Sequence, residues 1–216
     1  MQITTSLIKS RLNHRVKKNK NLAKTHGRTN RHVVKGLSMI YSSKISPQGK
    51  RALRTLQKTF SWNDDQLDYL IACMAFESNL NPQAINKTSK AVGLIQFMPN
   101  ICKAYGTTSE EMLARSFEEQ VPYIIKHFLP YYKRTKTLSD MYMAILMPKY
   151  IGKPEDTPIF SILDTPTQYR QNKGLDLDKD GIVTKKEASS MVYSRYQKGL
   201  LDVSEDSPFG GVKERR

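Results

Sequence analysis

Cysteine is nearly absent from this chain: Cys73 and Cys102 are the two in 216 residues. Two cannot build a disulfide framework, and each falls in a helix-patterned stretch, so both are expected as free, buried thiols. Histidine is as sparse, and His14, His26, His32 and His127 have neither metal-ligand nor triad spacing. No apolar run approaches the roughly 20 residues that span a bilayer, and the N-terminus lacks the apolar stretch of a secretory signal. The most telling absence is acidic. Residues 1–63 contain fifteen Lys or Arg and no Asp or Glu, whereas 64–216 contain twenty of each, so the formal charge of +15 resides wholly in the first 63 positions. A one-signed block does not pack as a core; it is a solvated arm or it meets something anionic. Phe, Tyr and Trp are missing before Tyr41, which argues against stacking on single-stranded nucleic acid.

What is present is helical in pattern. Within the arm, Ile8, Leu12 and Val16 recur every four residues among Lys and Arg, as in a short basic amphipathic helix. Leu53, Leu56 and Phe60 keep helical spacing and open the folded region. The next helix is expected to start on Asn63 or Asp64, with acids in its first turn, and to run without Gly or Pro to Glu77. Leu67, Leu70, Ile71 and Met74 give it an inward face, while Ala72, Cys73, Ala75 and Phe76 make its last turns apolar almost all round. Glu77 therefore leaves an apolar segment. Desolvation disfavours a carboxylate, so such a Glu can hold its proton near neutral pH and deliver it to a leaving oxygen. Taken alone, a Glu at this place is more often a solvated cap.

The following residues change that weighting. Asn79, Leu80 and Asn81 lead to Pro82, and after a polar loop comes Gly93-Leu94-Ile95-Gln96-Phe97-Met98-Pro99. Glu77-Ser78, the Asn81-Pro82 turn and the glycine-led second motif together resemble the catalytic core of the soluble lytic transglycosylases, the goose-type branch of the lysozyme superfamily, especially versions carried by bacteriophages. The similarity spans about residues 50–150. It implies a lysozyme-like all-α domain that cleaves the bond between N-acetylmuramic acid and N-acetylglucosamine in peptidoglycan. In that family a single Glu protonates the glycosidic oxygen and then takes a proton from the muramic acid 6-hydroxyl, closing a 1,6-anhydro ring. Carried over residue by residue, Glu77 is the catalytic acid and base. Ser78 orients it or a sugar group, Gln96 bonds the sugar beside the cleaved bond, and Met98 with Phe97 lines or supports the cleft. No Asp or Glu occurs between Gln83 and Glu110, which agrees with one-carboxylate chemistry and not the paired acids of other glycosidases. Attack by water instead would make the protein a muramidase. One family element departs: where an Ala-Tyr-Asn motif is usual, this chain has Ala144-Ile145-Leu146. Tyr142, or Tyr169 with Gln171 and Asn172, is the available substitute, and a wall-binding or structural virion protein with a degenerate site is the alternative reading.

A second motif follows. Asp176, Asp178 and Asp180 fall at positions one, three and five of an EF-hand-like loop, Gly181 at the turn, and Ile182 offers a carbonyl at seven. Thr184 stands at nine and Glu187 closes the loop at twelve. Hard oxygen donors in this number suit calcium. The stretch before the loop is a poor helix, so the reading is a single structural calcium loop and not a paired sensor.

The remaining chain completes an all-α expectation. A short helix from Pro99 stops at Gly106, and Thr108 with Glu111 makes a capping box. Val121, Ile124, Ile125, Phe128, Leu129 and Tyr132 form an apolar stripe that Pro122 starts or kinks. The expected organisation is a basic arm over 1–45, a lysozyme-like core over 46–150, a linker and calcium segment over 151–203, and a loose tail over 204–216. Peptidoglycan is the expected substrate. The arm's expected partner is a membrane surface, a virion protein or nucleic acid. With no signal visible, the route to the wall is as part of a phage virion, or by release from the host cytoplasm to the periplasm.

Overall fold

The computed structural model describes residues 39–205. The basic arm up to residue 38, its Ile8-Leu12-Val16 stripe and the tail from residue 206 lie outside them. Eight α-helices and one two-stranded sheet make up the described chain. Helix α1 (Pro47–Phe60) is capped by Ser46, whose hydroxyl accepts from Gly49 N at 3.0 Å, and it buries Leu53, Leu56 and Phe60. Ahead of it, Met39, Ile40, Tyr41 and Ile45 already belong to the core.

Helix α2 (Asp64–Glu77) is the centre of the fold. Asn63 and Gln66 close a reciprocal capping box at its start, as the local sequence requires. A helix apolar on every side has to be covered on every side, and Leu67, Leu70, Ile71, Ala72, Cys73, Met74 and Ala75 are all buried. Two later helices supply the cover: α6 (Leu138–Leu146) and the long C-terminal α8 (Lys185–Glu205) pack on α2 and on each other. Both cysteines are buried free thiols.

Between α2 and α6 lie α3 (Pro99–Ala104), α4 (Ser109–Ala114) and α5 (Phe117–Phe128). Thr108 with Glu111, and Ser116 with Glu119, make the capping boxes of α4 and α5. Pro122 neither starts nor ends α5. It sits inside the helix on an exposed face, where the carbonyl it leaves unbonded can turn to water. Leu129, read as part of the stripe, caps the helix and is exposed. Phe60 stacks on Tyr132 and Trp62 meets Phe128 edge-on, and the Trp62 indole donates to Tyr132 O, so aromatic packing joins α1 to the end of α5.

An element invisible to the sequence reading is the ribbon of β1 (Pro158–Ser161) and β2 (Ile182–Thr184). The strands pair antiparallel, Phe160 opposite Val183 and Ser161 opposite Ile182. Ile159, Phe160 and Val183 are buried, so the ribbon clamps its loop onto the helical core. Between the strands runs a short α7 (Pro166–Asn172), so the stretch ahead of the acidic loop, expected to be a poor helix, is helical after all. A buried ion pair fastens the same region: Lys185, 2% exposed, places its ammonium 2.6 Å from Asp140 on α6 and 2.9 Å from Lys153 O. Asp140 also accepts from Gly152 N at 2.7 Å. No helix of the described chain is long and apolar enough to cross a membrane.

Candidate active site

Glu77 is the last residue of α2 and only part of it meets solvent. Burial lifts its carboxyl from the ordinary 4.5 to about 7, against the lowering effect of a hydrogen bond from the Tyr142 hydroxyl. Desolvation outweighs that bond, so the acid is held protonated near neutrality while keeping a donor ready for the anion. Tyr142 comes from α6 and is itself 2% exposed, with its ring edge-on to Phe76. Burial, and then the carboxyl beside it, raise the Tyr142 phenol well above its usual range, so it stays a donor. Of the two candidate tyrosines, the structure thus brings Tyr142 to the acid. Tyr169 lies elsewhere, its hydroxyl 2.7 Å from Asp176.

After Glu77 the backbone reverses sharply. Asn79 and Leu80 both take the left-handed conformation, φ 53° and 64°, a strained choice for leucine that a well-packed surround must hold. Leu80 N returns to Met74 O, and Asn81 Oδ1 accepts from Gln83 N to set the turn at Pro82. Ser78 is 8% exposed and its hydroxyl faces two carbonyls, Met74 O at 2.9 Å and Leu94 O at 3.0 Å. It therefore ties the end of α2 to the second motif.

That motif is a tight hairpin. Val92 pairs with Phe97 and Ile85 with Val92, while Gly93 (φ +77°) and Gln96 (φ 54°) turn the chain. Leu94, Ile95 and Phe97 are buried beneath it, and Met98 is exposed at the start of α3. Gln96 stays partly open and its amide donates to Gly93 O at 3.0 Å. Glu77, Ser78, Gln96 and Tyr142 thus come from one helix end, one hairpin and one facing helix. Gln120 went unread in the sequence, and His127 was read only as lacking metal-ligand or triad spacing. Gln120, 0% exposed, reaches Leu94 N from α5; its signal was a polar residue in register with the apolar face of Phe117, Ile124 and Phe128. His127 bonds Ala144 O with Nε2 and the Tyr105 hydroxyl with Nδ1, linking α5 to α6. A carbonyl only accepts, so Nε2 carries the proton, and burial keeps the ring below its usual pKa.

The acidic loop forms a second centre. Carboxylate oxygens of Asp176, Asp178 and Glu187 lie within 4.8 Å of one another. Asp176 turns Oδ2 to Gly181 N and to the Tyr169 hydroxyl, while its buried Oδ1 has no hydrogen-bond partner. Gly181 has φ +86° and a side chain there would meet Ile162. Asp180 bonds Ile182 N and is not among the three converging carboxylates; Thr184 and Glu187 bond each other at the start of α8. Converging carboxylates with a buried, unpartnered oxygen fit a hard divalent cation and no soft one.

Residues 54–144 match the family model described as Transglycosylase SLT domain. Glu77, the 93–99 hairpin, Gln120 and Tyr142 all fall inside that span, and the acidic loop falls outside it. The domain is lysozyme-like, and members of its family are lytic transglycosylases, enzymes acting on peptidoglycan. No curated protein matches the chain.

Proposed function

We infer that this chain cleaves the β-1,4 bond between N-acetylmuramic acid and N-acetylglucosamine with Glu77 as its one acid and base. The observation carrying this is the half-buried carboxyl held protonated to about pH 7 at the end of α2, with the Tyr142 hydroxyl upon it. Glu77 gives its proton to the glycosidic oxygen as the C1–O bond breaks. The resulting anion, steadied by Tyr142, then accepts the proton of the 6-hydroxyl as that oxygen bonds to C1. Protons and bonds balance without a second carboxylate. Gln96, partly open and oriented by Gly93 O, supplies the sugar contact, and Met98 an apolar edge. Mass spectrometry of fragments released from purified peptidoglycan tests this: 1,6-anhydro ends are expected, and reducing ends would make the protein a muramidase. Glu77→Gln should release nothing. Wall binding without cleavage by the wild type would favour the degenerate-site alternative.

The acidic loop is assigned to calcium, with Asp176, Asp178 and Glu187 as the carboxylates and Asp180, the Ile182 carbonyl and Thr184 completing the set. The ion would neutralise the converging charges and pin the first turn of α8 to the loop; it takes no part in bond cleavage. The likeness of the Glu77 and 93–99 motifs to phage versions supports a phage origin, acting from the virion or after release to the periplasm. For the basic N-terminal region an anionic partner is proposed. Its charge continues into the described chain, where Lys50, Arg51 and Lys58, with Arg54 paired to Asp64 at 2.8 Å, line an open cavity of ≈ 510 Å³. Deleting residues 1–38 should weaken binding to anionic vesicles or polymers and leave wall cleavage in place.

A further inference from the structure

We propose that Gln120 is a positioning residue of this site: it fixes the peptide plane joining Gly93 to Leu94, through that plane orients Gln96, and one peptide further on steadies the Leu94 carbonyl that receives the Ser78 hydroxyl. The inference rests on the reading of Glu77 given above.

A primary amide offers one acceptor oxygen and two N–H donors. Gln120 uses all of them in the dark of the protein. Its Oε1 accepts from Leu94 N at 2.9 Å, while Nε2 donates to Pro82 O at 2.7 Å and Met112 O at 3.0 Å, with Arg115 O at 3.5 Å. Three segments meet on one side chain: the turn after Glu77, the hairpin of the second motif, and α4 with its end. The amide cannot be reversed, since reversal would set its N–H groups against Leu94 N–H and its oxygen against carbonyls. A Cβ at Gly93 would lie 2.5 Å from Oε1, so the amide is seated directly over that residue.

The geometry of one peptide then links Gln120 to the site. A trans peptide is planar and its N–H and C=O point opposite ways. The N–H of this plane goes to Gln120, and its C=O, Gly93 O, accepts the Gln96 side-chain amide at 3.0 Å, the shorter of that amide's two bonds, the other being to Ala84 O at 3.4 Å. Fixing the first therefore fixes the second. A glycine at φ +77° gives little resistance of its own to rotation of the plane; the turn's own bond, from Gln96 N to Gly93 O, is 3.2 Å long, and Gln120 adds a hold on the N–H end of the same plane. The next carbonyl, Leu94 O, receives the Ser78 hydroxyl beside Glu77.

The test is a double-mutant cycle on wall-fragment release, run well below the melting temperature. Gln120→Met should lower kcat by about 100-fold, the scale of a small misplacement of reacting groups. Combined with Gln96→Ala it should be no slower than the slower single variant, within about threefold, because both act through one plane. Losses that multiply, or a lowered Tm with kcat unchanged, would show that Gln120 only holds the fold and would overturn the proposal. Amide exchange at Leu94 is read in parallel: slow in the wild type and fast in Gln120→Met supports the clamp, and equal protection rejects it. Should Gln120→Met not fold, Gln120→Glu keeps the volume but turns an oxygen onto the carbonyls of Pro82 and Met112, and carries the same cycle with the same two readings. A wild type that releases no fragment overturns the reading of Glu77 and the catalytic part of this proposal with it, whereas active wild type with an unperturbed cycle overturns only the clamp.

Discussion

Replacing Glu77 by glutamine should remove turnover and, above pH 7, stabilise the protein. In the native state the carboxyl is lifted from 4.5 to about 7, chiefly by burial. The unfolded chain keeps the ordinary value, so between these pH values the native state holds more proton than the unfolded one. Stability from this group is then complete below about pH 4.5 and is lost as pH rises through 7. At 1.36 kcal/mol per unit, the loss amounts to up to about 3 kcal/mol. Glutamine resembles the neutral acid in shape and never ionises. The difference between Glu77→Gln and wild type should therefore be near zero at pH 4 and grow to about 3 kcal/mol by pH 8. For a domain of this size that is a gain of about 6–12 °C in Tm. Melting curves by circular dichroism at pH 4, 6 and 8 and fixed ionic strength measure it, and other titrating groups cancel in the difference. A difference that stays flat with pH, or a wild type more stable at pH 8, would refute the account of Glu77.

Tyr142→Phe removes the donor that favours the Glu77 anion; with a bond of about 1.5 kcal/mol to a charged group, the alkaline limb of kcat/KM for fragment release should move up by about one pH unit, and a limb that stays or falls contradicts the contact. Calcium at 100 times its Kd should stabilise the fold by about 2.7 kcal/mol, read as a higher Tm than in chelator; Asp176→Asn should abolish the response, and identical melts with and without calcium would dismiss the site. Lys185→Met strands Asp140 without its ammonium and should cost about 3–5 kcal/mol in urea unfolding, most of it recovered when Asp140→Leu is added. Absence of recovery would mean that Asp140 is needed for its bond to Gly152 more than for the ion pair.

Local chemistry was the legible part of this fold. Asn63 with Gln66 and Thr108 with Glu111 announce helix starts because a capping box is written in four consecutive residues. The all-round apolar run ending in Glu77 announced both the central helix and the desolvated acid. Motif spacing likewise marked Asp176, Asp178 and Glu187, which do converge. Features set by distant partners stayed hidden. Strands of three and four residues leave no readable alternation, and β1 is visible only through its pairing with β2. Lys185 gave no sign in the sequence of its buried partner, because Asp140 lies 45 positions away. Gln120 is separated by 26 residues from the amide it holds. Pro122 does not start its helix but lies within it, on a face open to water, so that its position in the helix depends on a surround the sequence does not spell out.

The strand that lies beside the acidic loop has a consequence for how the loop would answer to its ion. Its neighbour is β1, from the same chain and only about twenty residues upstream, and among the described residues no second loop lies across the ribbon. An ion held there as proposed would have no second loop among the described residues to couple to, and would fill along a simple saturation curve, a gradual ballast for the folded state and not a threshold trigger.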